Sequence, residues 1–236
     1  MSTAAVSAAR RSPDPGIERS RIVQSGRLAT MPYQAALAWQ QQRAEAVAVG
    51  ALPEVIVLLE HEPVYTQGRR GGRDHVLTEL SAPVVDTDRG GDVTFHGPGQ
   101  LVVWPILRLR ERGIGIAAYV RGLEEAAMQT ALELGLKPER VSGRPGVWLG
   151  NRKLASVGVR LQSGVSRHGL ALNCDVELSW FDGIRACGID RATTTSLTAE
   201  LGRTVTVSEC VPLVRDALAT VFGLRLSPVQ CLGEEQ

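Results

Sequence analysis

The spacing of apolar positions along the chain alternates between two periods. Residues 31–49 are rich in Ala and Gln and predict a helix, with Pro32 in the first turn, where a missing N–H costs nothing. Residues 55–59, Val-Ile-Val-Leu-Leu, form an unbroken apolar run, the mark of a strand covered on both faces. Strand-like stretches recur at 83–86, 92–95 and 101–107, and Asp92-Val-Thr-Phe95 alternates polar and apolar as a strand with one buried face does. Residues 116–134 carry the longest helical signal, with Arg121, Glu124 and Glu125 set apart from its apolar stripe. The segments 147–149, 153–161 and 169–174 complete a sheet, and Thr206-Val-Ser-Glu209 reads as a capping box opening a last helix to about Phe222. Central strands flanked by helices predict an α/β (α+β) mixed-sheet sandwich. Neither a dinucleotide fingerprint nor a phosphate-binding Walker loop is present.

Composition narrows this picture without adding chemistry. Of the 236 residues, 44% are apolar and the formal charge is +1, which supports neither a nucleic-acid nor a membrane partner. The longest apolar run falls short of the roughly 18 residues a membrane span needs. Residues 1–18, rich in Ala, Ser, Arg and Pro, are expected to form a disordered tail, and 19–236 a single catalytic domain. Cys174, Cys187, Cys210 and Cys231 lack paired spacing, so reduced thiols and a cytoplasmic setting follow. His61, His75, His96 and His168 lack zinc-site spacing, so no metal is expected. Of 26 basic residues only Lys137 and Lys153 are lysine, a bias that fits GC-rich coding.

Residues 89–100, Arg-Gly-Gly-Asp-Val-Thr-Phe-His-Gly-Pro-Gly-Gln, hold the densest candidate chemistry. Their glycines permit close approach, and Arg, Thr, His and Gln among them suit a substrate-binding loop as well as a tight hairpin. Lys153 opens Lys-Leu-Ala-Ser-Val-Gly-Val-Arg-Leu, a buried strand pattern. At its mouth a lysine can either be desolvated into a usable base or snorkel to solvent. His168-Gly-Leu-Ala-Leu-Asn173 reads as a strand whose glycine admits a ligand to the backbone, and Cys174 continues it as a packed thiol. Cys187 precedes Gly188 on an irregular stretch, where a sulfur can be exposed beside backbone N–H donors.

Taken in order, residues 89–100, 153–160, 168–173 and Cys187-Gly-Ile189 resemble the lipoyl(octanoyl) transferases, also called lipoate-protein ligase B, over about residues 21–223. The resemblance implies the biotin/lipoate ligase catalytic-domain fold, with a ligase-like core at about 50–225. It implies an acyl thioester on Cys187 and Lys153 as its partner. Substrate contacts fall on Arg89, Gly90, Gly91, Asp92, Val93, Thr94, Phe95 and His96, on Ser156, Val157 and Gly158, and on Gly169, Leu170 and Ala171. Val157, Leu170 and Leu172 are expected to line the alkyl groove. Two residues depart from the family pattern: Ala186 replaces a proline, and Trp104 stands where tyrosine is common.

The resemblance also implies partners. The donor is octanoyl-acyl carrier protein, and the acceptors are lipoyl domains of 2-oxoacid dehydrogenases and the glycine cleavage H protein. No cofactor is implied, and a monomer is the default. Arg69, Arg70 and Arg73 form either a docking patch for an acidic carrier or a solvated loop. Three rivals stay open: an ATP-dependent lipoate or biotin ligase, a thioesterase, and a carrier-binding module without catalysis. The first needs no nucleophilic cysteine.

Overall fold

The middle strands of the central sheet alternate their side chains between two apolar layers, and this explains the unbroken apolar runs. The computed structural model describes residues 22–27, 30–71, 75–185 and 193–231. Twelve strands occur among them: β1 (Ile22–Arg27), β2 (Val55–Leu59), β3 (Val64–Gln67), β4 (Val84–Asp86), β5 (Val93–His96), β6 (Gln100–Ile106), β7 (Glu139–Val141), β8 (Arg144–Leu149), β9 (Arg152–Gln162), β10 (Val165–Asn173), β11 (Thr193–Thr194) and β12 (Arg225–Cys231). The helices are α1 (Tyr33–Ala48), α2 (Ile116–Glu133), α3 (Leu197–Leu201) and α4 (Val207–Phe222).

The main sheet runs β12-β1-β2-β6-β10-β9-β8-β7, with the two-residue β11 on β9. β1 pairs in parallel with β2 and β12, and β2, β6, β10 and β9 follow antiparallel. Ile56, Leu58, Leu101, Val103, Leu170 and Leu172 face α2 and α4, where Tyr119, Leu123, Val214 and Leu218 complete the larger core. Val55, Val57, Val102, Trp104 and Ala171 face the other way, toward α1 and its Tyr33, Ala36, Ala44 and Val47. A second sheet, β4-β3-β5, packs Tyr65, Val93 and Phe95 against Phe181 and Ile184.

Several expectations needed correction. Residues 22–27 and 225–231, outside the 50–225 core, add two strands to the main sheet, because they pair with each other across 200 residues of chain. Cys231 therefore ends a strand instead of lying in a tail. Residues 92–95 and 101–107 belong to different sheets: β5 pairs with β3 in the small sheet, and the turn after His96 carries the chain into the large one. Glu124, set apart from the apolar stripe by its spacing, is nevertheless buried: its carboxylate accepts the Gly146 N–H at 2.9 Å and pairs with Arg140 at 3.2 Å. The capping box is half made: Thr206 Oγ1 accepts from the Glu209 N–H at 3.2 Å, while the Glu209 side chain pairs with Arg203 at 2.8 Å.

Candidate active site

The strand register builds a cleft on the α1 face of the sheet. Val102, Ala171 and Ser156 stand opposite one another on β6, β10 and β9, and Gly169 faces Gly158 one step further on. Small residues at four of these positions leave a trough where larger ones would fill the face. Gly169 and Gly158 also permit close approach by the protein's own backbone. A Cβ on Gly169 would sit 2.2 Å from the Val103 carbonyl oxygen, and one on Gly158 would sit 2.8 Å from that of Gly90. Gly169 thus admits the neighbouring strand's backbone while also lining the cleft.

Arg89, Gly91, Asp92, Val93, Thr94 and His96 form one wall of the cleft, and Tyr33, Trp104 and His168 form another. Lys153, Ser156, Val157, Gly158, Gly169, Leu170 and Ala171 complete the lining. Three residues expected here lie elsewhere. The Phe95 ring stacks on Trp180 (centroids 4.8 Å apart), and Gly90 instead pins the loop, its N–H donating to the Val159 oxygen at 2.9 Å. Leu172 lies in the helix-side core, because it alternates with the cleft-facing Ala171. Tyr33 and Val102 had no signal in the sequence, since an aromatic in a first helical turn and a valine in an apolar run look like ordinary core.

Lys153 is buried, with Nζ 5.3 Å from the centroid of the Trp148 ring. Its stem passes Gly146 so closely that a Cβ there would lie 2.8 Å from Cε. Its carbonyl accepts the Thr195 N–H at 2.9 Å, and β11 pairs Thr194 with it in parallel. The snorkelling alternative is thereby removed: this lysine is enclosed at one end of the cleft.

Arg89 serves the wall itself. Its guanidinium donates to the Thr66 and Asp92 carbonyls at 2.6 and 2.7 Å and to Thr66 Oγ1 at 2.9 Å, tying the loop to β3. At the other end a buried chain of hydrogen bonds crosses the site. His96 Nδ1 donates to Gln100 Oε1 at 2.7 Å, Gln100 Nε2 donates to Asn173 Oδ1 at 2.9 Å, and Asn173 Nδ2 donates to the Thr195 carbonyl at 2.9 Å. Because the Gln100 amide nitrogen is committed to Asn173, its oxygen faces the imidazole and fixes Nδ1 as protonated.

His61, His96 and His168, distant in sequence, gather around Tyr33 and Trp104, although no metal-holding group of three His, Cys, Asp or Glu forms among the described residues. Burial disfavours the imidazolium at each: His61 is pushed down to about 4, and His96 well below the usual imidazole range, helped by His61 and Arg89. Tyr33 is raised to about 12 by burial, with the nearby Arg89 opposing. The cleft's imidazoles are therefore held neutral, with the Lys153 side chain at one end and Arg89 and Asp92 in the wall.

Other candidates fall outside it. Cys174 and Cys210 are buried thiols in the helix-side core, and Arg69 and Arg70 are exposed. Arg73, Ala186, Cys187 and Gly188 lie outside the described residues. The chain on either side of 186–192 is placed: the Arg185 N–H donates to the His75 carbonyl at 2.8 Å, and Thr193 pairs with Arg152.

The family model described as "Lipoyl protein ligase A/B catalytic domain" matches residues 32–219. A protein named octanoyltransferase from Leifsonia xyli subsp. xyli is 48% identical over 202 residues, covering 83% of this chain and 89% of its own. One of the same name from Mycolicibacterium smegmatis is 46% identical over 213 residues, covering 88% and 92%. Among solved structures, lipoate-protein ligase A bound with ATP gives a TM-score of 0.64 at 13% identity over 90% of both chains. The bi-partite lipoate protein ligase of Thermoplasma acidophilum gives 0.61 at 13% identity, covering 89% and 88%. At such identities these two establish the fold alone: it is the lipoate ligase catalytic fold.

Proposed function

Since this chain belongs to the lipoyl protein ligase A/B catalytic-domain family, we propose that it is an octanoyltransferase acting in protein lipoylation, with Cys187 and Lys153 as its reacting pair. The observation that carries the site assignment is Lys153, enclosed at the end of a cleft floored by Ser156, Gly158, Gly169 and Ala171. The pairing of Thr193 and Thr194 with Arg152 and Lys153 supports the pair, because it sets the described chain that follows Cys187 by six and seven residues next to this lysine. The strands β1 and β12, joined to the main sheet, support residues 19–236 acting as one catalytic unit.

In this reading the donor is octanoyl-acyl carrier protein. Lys153 takes the thiol proton of Cys187 or, as ammonium, stabilises its thiolate. The thiolate attacks the thioester carbonyl, a new C–S bond forms, the donor C–S bond breaks, and the carrier thiolate leaves with a proton. The incoming lysine amine of a lipoyl domain then attacks the acyl-enzyme. The C–N bond forms as the Cys187 C–S bond breaks, and Lys153 relays the amine proton. Backbone N–H groups at Gly188 serve as oxyanion donors. Acceptors are the lipoyl domains of 2-oxoacid dehydrogenases and the glycine cleavage H protein. Val102, Trp104 and Ala171 hold the alkyl chain, at about 0.8 kcal/mol per buried methylene. Arg89 orders the wall by holding Thr66 and Asp92.

The test is intact-mass measurement after mixing the protein with octanoyl-acyl carrier protein without ATP. An octanoyl adduct is expected, absent in Cys187→Ser and reduced in Lys153→Ala. A wild-type protein that stays unmodified overturns the reading, and transfer that needs ATP and survives Cys187→Ser points to a ligase. Adding an apo-lipoyl domain separates transfer from hydrolysis.

A further inference from the structure

The end of the cleft remote from Lys153 is closed by a residue in an unfavourable backbone state. His168 has φ +56°, the left-handed region that a side chain with a Cβ disfavours. Simple alternation along β10 would put it with Leu170 on the helix side, yet its ring lies edge-on to Trp104 (centroids 6.3 Å apart) and lines the cleft. Only 2% of the residue is exposed. Its Nε2 donates to Asp88 Oδ1 at 2.8 Å, and Asp88 also pairs with Arg167 at 3.0 Å and Arg160 at 3.8 Å. Nδ1 is then an unprotonated acceptor, buried and without a hydrogen-bond partner among the described residues.

Register puts His168 opposite Val159, six residues along β9 from Lys153. At about 3.3 Å per residue the two backbones stand roughly 20 Å apart along the strand. The Lys153 stem takes up part of that span, since its Cε and Nζ lie beside Gly146, the neighbour of Val147, which pairs with Ala155. We propose that His168, braced by Asp88, is a specificity-determining residue: it is the end wall that sets the acyl-chain length accepted. This rests on the acyl-transfer reading above. A chain of fitting length stops short of Nδ1. Added methylenes press apolar surface onto an unpaired acceptor, and moving the ring aside would strip Asp88 of its closest partner.

The experiment compares acyl-enzyme formation from octanoyl-, decanoyl- and dodecanoyl-acyl carrier protein by wild type, His168→Gly and Asp88→Asn. Glycine suits the left-handed backbone, so it removes the ring without new strain. The dodecanoyl-to-octanoyl rate ratio should rise about tenfold or more in His168→Gly, the scale on which apolar pockets discriminate by methylenes. A smaller rise is expected in Asp88→Asn, which carries the same readout should the glycine variant fail to fold. An unchanged ratio in a folded variant that still accepts octanoyl overturns the proposal. A wild type that accepts no donor overturns the acyl-transfer reading, and this inference with it.

Discussion

The two faces of the central sheet are built from the same strands and do opposite work. On the α2/α4 face, Leu101, Val103, Leu170 and Leu172 meet Leu123, Val214 and Leu218 in a close-packed apolar layer. On the α1 face the same strands present Ala171, Ser156, Gly158 and Gly169, leaving a trough ringed by Lys153, Tyr33 and the buried His96 and His168. Packing is complete on one side and withheld on the other. Among the described residues, His61 Nε2 and His168 Nδ1 are buried without hydrogen-bond partners, a cost that the filled face helps to offset. Stability and chemistry are thus segregated by strand alternation within each strand.

That division can be broken most severely at Lys153. Lys153→Ala should slow octanoyl transfer on the order of 10²–10⁴-fold, the usual contribution of a positioned acid–base group, with the melting curve still cooperative. A transfer rate within threefold or so of wild type would remove Lys153 from the chemistry. On the opposite face, Leu123→Ala should cost about 2–5 kcal/mol by urea denaturation, while transfer per folded molecule stays unchanged. If the rate falls in step with stability, the two faces are not independent.

Acid probes the cleft face selectively. Below the ordinary imidazole value of 6.5 the unfolded chain takes up a proton that buried His61 refuses until about pH 4. Stability should therefore fall between those values by about 3 kcal/mol from this residue alone. His168 and His96 act in the same direction. Asp88 is shifted in the same direction by a different cause: hydrogen-bonded by His168, its carboxyl is lowered from 3.8 to about 2, and the stability it contributes is lost only as the pH falls through that range. Urea midpoints from pH 7 to 4 that do not move would contradict the burial of neutral imidazoles. The smallest effect lies far from the cleft: Thr206→Ala removes the α4 cap and should cost about 1 kcal/mol without altering transfer.

Much of this architecture was legible in the chain. The apolar runs at 55–59 and 101–107, the long helix at 116–134 and the Thr206 cap appear where their patterns place them. The misplaced pieces share one cause. β1 and β12 lack a strong period, and they become strands only because β1 pairs with both β12 and β2. Glu124 stands apart from the apolar stripe by helical spacing, but β8 arrives from elsewhere to offer the Gly146 N–H. Local pattern carries no information about which distant edge is free to pair.

The candidate site divides along the same line. Residue types and order determined the motifs: the glycines that let backbones approach, the lysine opening a buried strand, the small residues on one face of β9 and β10. These depend on period-two alternation and on side-chain size, both local properties. Tertiary structure alone decided that Arg89 braces the wall, that Phe95 turns away, and that His61, His96 and His168 gather around Tyr33 and Trp104. Those outcomes depend on which strands become neighbours and on the left-handed backbone at His168. Neither is encoded within reach of a single stretch of sequence, because burial and hydrogen-bond partners are supplied by residues tens of positions away.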